Sequence, residues 1–153
     1  MSDVDFVEAL KSSQGDHPRT TIFFDAAGHA AQRARAIPCE SGRLSGWQER
    51  KAKAMFLENL EGGIQISAVA KACCLSRSHF SRAFKVATGH SPSDWLQLAR
   101  LTRAKQLLEQ NDSPICQVGL ACGFVDQSHF SRMFSRKFGM TPRKWRAQEQ
   151  AQP

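Results

Sequence analysis

From residue 45 onward, apolar side chains recur at helical spacing between polar ones. The stretch "SGWQERKAKAMFLENLEGG" opens on a capping box, Ser45 with Gln48 three residues on. It carries Trp47, Ala54, Met55, Leu57 and Leu60 at helical intervals and stops at Gly62 and Gly63. "ISAVAKACCLS" predicts a short helix ending near Leu75. "SRSHFSRAFKVATG" predicts another, capped by Ser76 and closed by Gly89. Ser91, Pro92 and Asp94 then supply an N-cap, a first-turn proline and a capping-box acid for "SDWLQLARLTRAKQLLEQ". At about 100° per residue, Trp95, Leu96, Leu98 and Ala99 of this long helix point one way, and Leu101, Ala104, Leu107 and Leu108 roughly the other. One helix is expected to pack against two cores.

The pattern then repeats. Ile66, Val69, Ala72 and Cys73 return as Ile115, Val118, Ala121 and Cys122. After one inserted residue, Phe80, Phe84, Gly89, Pro92 and Trp95 return as Phe130, Phe134, Gly139, Pro142 and Trp145. The whole reads as an all-α chain of seven helices, two similar units joined by a long linker helix. Residues 1–44 are weakly patterned. Asp3 to Lys11 could form a short helix and Thr20 to Phe24 an extended piece, but Gly15, Pro18, Gly28, Pro38 and Gly42 interrupt them. The expected division is a poorly ordered, mostly irregular N-terminal extension over 1–44 and a helical domain over 45–153.

Each unit has the form of a helix-turn-helix, in which one face of the second helix is core and the other is free to enter a DNA major groove. Phe80, Ala83 and Phe84, and in the second copy Phe130, Met133 and Phe134, form the core stripe. The opposite faces carry Ser78, Ser81, Arg82 and Lys85, and then Gln127, Ser128, Ser131, Arg132 and Ser135. Short hydrogen-bonding side chains around an arginine one turn into the helix suit base edges, since arginine can bind guanine in bidentate fashion.

Charge points the same way. Of 153 residues, 41% are hydrophobic, and the formal net charge is +7. Residues 1–44 hold five Lys/Arg against six Asp/Glu, whereas 45–153 hold sixteen against eight, so the basic excess lies wholly in the repeat. Such a domain expects a polyanionic partner, nucleic acid before an anionic membrane surface. The five cysteines, Cys39, Cys73, Cys74, Cys116 and Cys122, show no Cys-x-x-Cys or His-x-x-x-His pattern and read as reduced thiols. The start, "MSDVDFVEALKSSQ", lacks the basic and apolar regions of a secretory signal, and no run reaches the roughly 18 apolar residues of a membrane span. A cytoplasmic protein with no membrane association is expected.

The stretch from about Trp47 to Arg146 resembles the DNA-binding domain of AraC/XylS-type bacterial transcription regulators. The likeness rests on "FSRAFKVATGHSPSDWLQLARLTRAKQLL" and on "VGLACGFVDQSHFSRMFSRKFGMTPRKWR", with its Gly-Phe pair, Phe-Ser-Arg-x-Phe run and Gly-x-Thr-Pro-x-x-Trp ending. The resemblance implies two helix-turn-helix units on a long helix, double-stranded promoter DNA and RNA polymerase as partners, and activation more often than repression. Carried over by position, it implies base contacts from Ser78, Ser81, Arg82, Gln127, Ser128, Ser131 and Arg132. It implies phosphate contacts from Arg77, Lys85, Arg136, Lys137, Thr141, Arg143 and Lys144, with free N–H groups at the start of the last helix helping. Two departures stand out: 44 residues are too few for the ligand-binding domain many relatives carry, and the first copy has Cys74 and Leu75 where the second has Gly-Phe.

Other chemistries fit less well. His79 and His129 sit beside core phenylalanines without an acidic or cysteine cluster, and read as structural or phosphate-contacting. Cys73-Cys74 could bind a thiophilic metal or sense oxidants, but Cys73 matches Cys122 in the repeat, which favours small core residues. Adjacent Ser and His on a helix point about 100° apart and cannot share a catalytic hydrogen bond. No cofactor and no enzymatic activity are expected. The alternatives are a helical module that docks a protein partner, and a DNA-binding repressor or antagonist that does not touch polymerase.

Overall fold

The computed structural model describes residues 42–110 and 112–151, all within one compact unit, Ser41–Pro153. The expected helix over 3–11 and extended piece over 20–24 lie outside the described residues. Seven helices follow one another, and among the described residues there is no strand: α1 (Gly46–Glu58), α2 (Ile66–Ala72), α3 (Arg77–Thr88), α4 (Pro92–Gln110), α5 (Ile115–Ala121), α6 (Gln127–Phe138) and α7 (Pro142–Gln150).

The caps explain most of these boundaries. Gln48 Oε1 accepts the Ser45 backbone N–H at 2.9 Å, which is the expected start of α1. Ser76 Oγ accepts from the His79 N–H at 3.3 Å to open α3. Ser91 Oγ accepts from the Asp94 N–H at 3.2 Å and donates to its carboxylate at 2.6 Å, so the first turn of α4 is closed in both directions. Gly89 and Gly139, with φ near 80° and 76°, end α3 and α6 in the left-handed conformation.

The first core gathers Phe56 of α1, Val69 of α2, Phe80 and Phe84 of α3, and Trp95 and Ala99 of α4, all essentially inaccessible. The Phe84 ring meets Phe56 and Trp95 edge-on, at centroid distances of 5.7 and 6.0 Å. The second core joins Leu101, Ala104 and Leu108 of α4 to Val118, Cys122, Phe124, Phe130 and Phe134, with Leu107, Met133, Phe138 and Trp145 packed against it. Helix α4 therefore does bury two faces. Leu96 and Leu98, assigned by periodicity to the first face, are only half-buried.

Helix α1 differs from its sequence reading. The buried positions are Ala52 and Phe56, while Trp47, at the head of the expected apolar stripe, is 47% exposed. From Ala52 to Leu57 the helix is apolar almost all round, so periodicity does not choose a face; the aromatic pair offered by Phe84 and Trp95 does. Leu44, just before the helix, is also buried, and Arg43 donates to the Ala87 carbonyl at 3.4 Å.

The two turns are alike in geometry and unlike in sequence. Gly123 follows α5 with φ of 81°, and at the matching place after α2 stands Cys74 with φ of 58°, a left-handed side-chain-bearing residue. Its neighbour Cys73 and the equivalent Cys122 are both fully buried. Burial pushes the Cys73 thiol up, and it pushes Cys122 up to about 11 despite the nearby Arg103 cation.

Cys74→Gly should stabilise the protein by about 0.5–1 kcal/mol in urea denaturation, the relief of the left-handed strain exceeding the added freedom of the unfolded chain. A second expectation concerns alkaline pH. Between the ordinary thiol value near 9 and the folded value of about 11, the unfolded chain releases the Cys122 proton while the folded one retains it. Stability must then fall as pH rises through that window, by up to about 2–3 kcal/mol from this group. The stability gap between wild type and Cys122→Ala, compared at pH 8 and pH 11, should narrow by that amount.

Candidate nucleic-acid interface

Helices α3 and α6 are built to keep one side dry and the other bare. In α3, Phe80, Ala83 and Phe84 are inaccessible, whereas Arg77, Ser78, Arg82 and Lys85 are exposed and Ser81 is half-exposed. In α6, Phe130 and Phe134 are inaccessible, whereas Gln127, Ser128, Arg132, Arg136 and Lys137 are exposed and Ser131 is half-exposed. The start of α7 presents Thr141, Arg143 and Lys144. None of the residues expected to touch bases or phosphates is taken into a core.

Each of the two helices rests on the helix before it across a tight turn. Gly119 of α5 is buried, and a Cβ there would lie 3.1 Å from the Phe130 ring, so the missing side chain is what lets α6 approach. Ala70 fills the matching place in α2. The Leu75 and Phe124 backbone N–H groups donate to the Ala70 and Gly119 carbonyls, at 2.9 and 3.0 Å, so the same hydrogen bond closes both turns.

Arg77, Arg82, Lys85, Arg132, Arg136, Arg143 and Lys144 hold no carboxylate among the described residues. Arg132 is steadied by its own helix, Nε donating to the Ser128 carbonyl at 3.3 Å, which leaves the far end of the guanidinium available. Lys105 has another role, its ammonium lying 4.8 Å from the Trp145 ring centre and covering the second core.

An open cleft of about 590 Å³ between α5, the head of α6 and α7 brings together two expected contacts, Gln127 and Arg143, with Cys116, Arg146 and Gln150 around them. Arg146 donates to the Ser113 carbonyl at 2.7 Å and so ties α7 to the loop before α5. The head of α7 has fewer free donors than expected. Thr141 Oγ1 accepts from the Lys144 N–H at 3.3 Å and Pro142 has no N–H, so the first turn leaves the Arg143 N–H to meet an anion.

Two residues escaped the sequence reading. Asp126 caps α6, its Oδ1 accepting from the His129 N–H at 2.7 Å, and the signal was its alignment with Ser76. Val125, beside it, is 87% exposed, which periodicity cannot foresee because it lies between helices. The His129 ring packs edge-on against Phe124 at 5.7 Å, a structural role of the expected kind.

Known proteins share this arrangement. A family model described as a helix-turn-helix domain matches residues 69–148, just over half of the chain. The HTH-type transcriptional regulator ArgR of Pseudomonas aeruginosa is 36% identical over 114 residues, which is 73% of this chain and 34% of that protein. The chain thus spans about a third of the length of such curated relatives. A Chromobacterium violaceum transcriptional regulator, described as having an AraC-type DNA-binding domain, superposes with a TM-score of 0.65 at 39% identity, covering 69% of this chain and 94% of that one. The DNA-binding domain of AdpA, solved in complex with a target DNA, superposes with a TM-score of 0.64 at 31% identity, covering 68% and 94%.

Asp126→Ala should cost about 1 kcal/mol of stability by urea denaturation, while Asp126→Asn, which keeps an acceptor oxygen, should cost only a few tenths.

With two helix-turn-helix units on one long helix, and with these likenesses in sequence and in fold, the chain belongs to the AraC family of transcription regulators.

Proposed function

We propose that the chain binds promoter DNA in a sequence-specific way, laying α3 and α6 in successive major grooves, and that it regulates transcription as an activator in contact with RNA polymerase. The observation that carries DNA reading is the repeated arginine. Arg82 and Arg132 stand at equivalent places, one turn into two equivalent helices, exposed and with no carboxylate partner among the described residues. The relative solved on its target DNA has the same fold at 31% identity, which supports the partner. Helix α4 is of suitable length. Its 19 residues span about 28 Å, against a DNA turn of roughly 34 Å, and the helix radii supply the remainder.

On this reading Ser78, Ser81, Arg82, Gln127, Ser128, Ser131 and Arg132 meet base edges. Arg77, Lys85, Arg136, Lys137, Thr141, Arg143 and Lys144 meet phosphates. Bases confer specificity, while the phosphate contacts supply affinity through counterion release. The activating sign and the polymerase contact rest on family resemblance alone, and a promoter-reporter assay with and without the protein decides them.

A duplex selected by the protein from a random library provides the test. Arg82→Ala and Arg132→Ala should each lose about 1–3 kcal/mol on that duplex and relax preference at one base pair. Lys144→Ala should weaken matched and scrambled DNA alike and reduce the slope of log affinity against log salt by about 1. Equal losses on matched and scrambled duplexes for the arginine variants would sink the base-reading assignment. Affinity insensitive to salt would favour the protein-docking alternative.

A further inference from the structure

The two units meet beside the middle of α4, where its buried side changes from Ala99 to Leu101. Arg100 lies at that switch. Its Nε donates to the Leu60 carbonyl, just beyond the end of α1, at 3.0 Å. The turn of the second unit presses on the same spot. A Cβ at Gly123 would fall 2.2 Å from the Leu60 carbonyl oxygen and 3.0 Å from Arg100 Cζ, so only bare backbone fits there. Arg100 Nη2 also comes within 3.6 Å of where a Cβ of Gly63 would be. A single guanidinium is thus wedged between the α1–α2 connection of one unit and the α5–α6 turn of the other.

We propose that Arg100 is a positioning residue for DNA binding: its bond to Leu60, seated against Gly123, braces the linker helix so that the chain accepts one spacing between half-sites. The inference rests on the reading that α3 and α6 both enter DNA. The need for a brace is geometric. A bend of roughly 15° midway along a rod of about 28 Å moves one end by about 3.6 Å, close to a base-pair step. Arginine suits the place because Nε can donate from the stem while the rest of the planar group fills the joint. Partial burial pushes the Arg100 pKa down, which is consistent with a side chain held in the joint.

The test has a DNA-free arm and a DNA arm. For the first, the full chain carries Cys39→Ser, Cys74→Gly and Cys116→Ser, with spin labels on Lys85→Cys in α3 and Arg136→Cys in α6. The distance distribution between the labels should be single and narrow with Arg100 present and at least twice as wide with Arg100→Ala. Arg100→Met, which retains the apolar stem and loses the donor, decides the matter if the alanine variant does not fold. For the second arm, unlabelled protein binds its library-selected duplex and the same duplex with one base pair inserted between half-sites. The insertion should weaken wild type at least tenfold and the Arg100 variant less than threefold. Unchanged label widths and an unchanged insertion penalty in a folded variant would overturn the proposal. If no duplex is selected, the DNA reading fails while the label distances still judge the brace.

Discussion

Helix α4 has to satisfy two cores at once, and everything else in the described structure hangs from that constraint. Trp95 and Ala99 belong to one cluster and Leu101, Ala104 and Leu108 to the other, so the helix cannot rotate to favour one without exposing the other. Full burial of a large apolar side chain contributes roughly 1.5–3 kcal/mol, and at least one such residue is committed on each side. Rotation about the axis is therefore expensive in both directions. Bending is not opposed in the same way, because a bend leaves each local contact intact, and that is the freedom the Arg100 joint restricts.

The cores also set what remains outside. In α3 and α6 the phenylalanines take the inner side, and the serines and arginines are left on the outer one by the pitch of the helix alone. Among the described residues, Arg77, Arg82, Arg132 and Arg136 are exposed and hold no carboxylate, which leaves these faces positive. The same geometry that completes the core thus turns the basic residues of α3 and α6 outward, toward a polyanion.

Much of this was legible in the residues. The repeat, the caps at Ser45, Ser76 and Ser91, the terminating Gly89 and Gly139 and the two-sided linker helix all follow from local rules that the structure obeys, whereas α1 stops at Glu58, short of Gly62 and Gly63. Helix α1 was the exception in packing: its apolar residues between Ala52 and Leu57 lie on nearly every side, so the pattern does not say which side turns inward, and Phe84 and Trp95 decide. The shortage of donors at the head of α7 was half visible, in Pro142, and half hidden, since the use of the Lys144 N–H depends on the rotamer of Thr141. The Arg100 joint was invisible for a different reason. It joins a carbonyl, a glycine and a guanidinium far apart in the chain, and a hydrogen bond to backbone leaves no mark in a side-chain pattern.

The two halves are copies that have ceased to be interchangeable. At Cys74 a side chain is tolerated at the cost of strain, because the space around it is open to solvent; at Gly123 no side chain of any kind has room. Transplanting "CGF" into the first half would leave its turn intact, whereas transplanting "CCL" into the second would drive a sulfur-bearing side chain into the opposite half's backbone. The duplication is symmetrical as text and directional as an object: one half offers the socket, the other the plug.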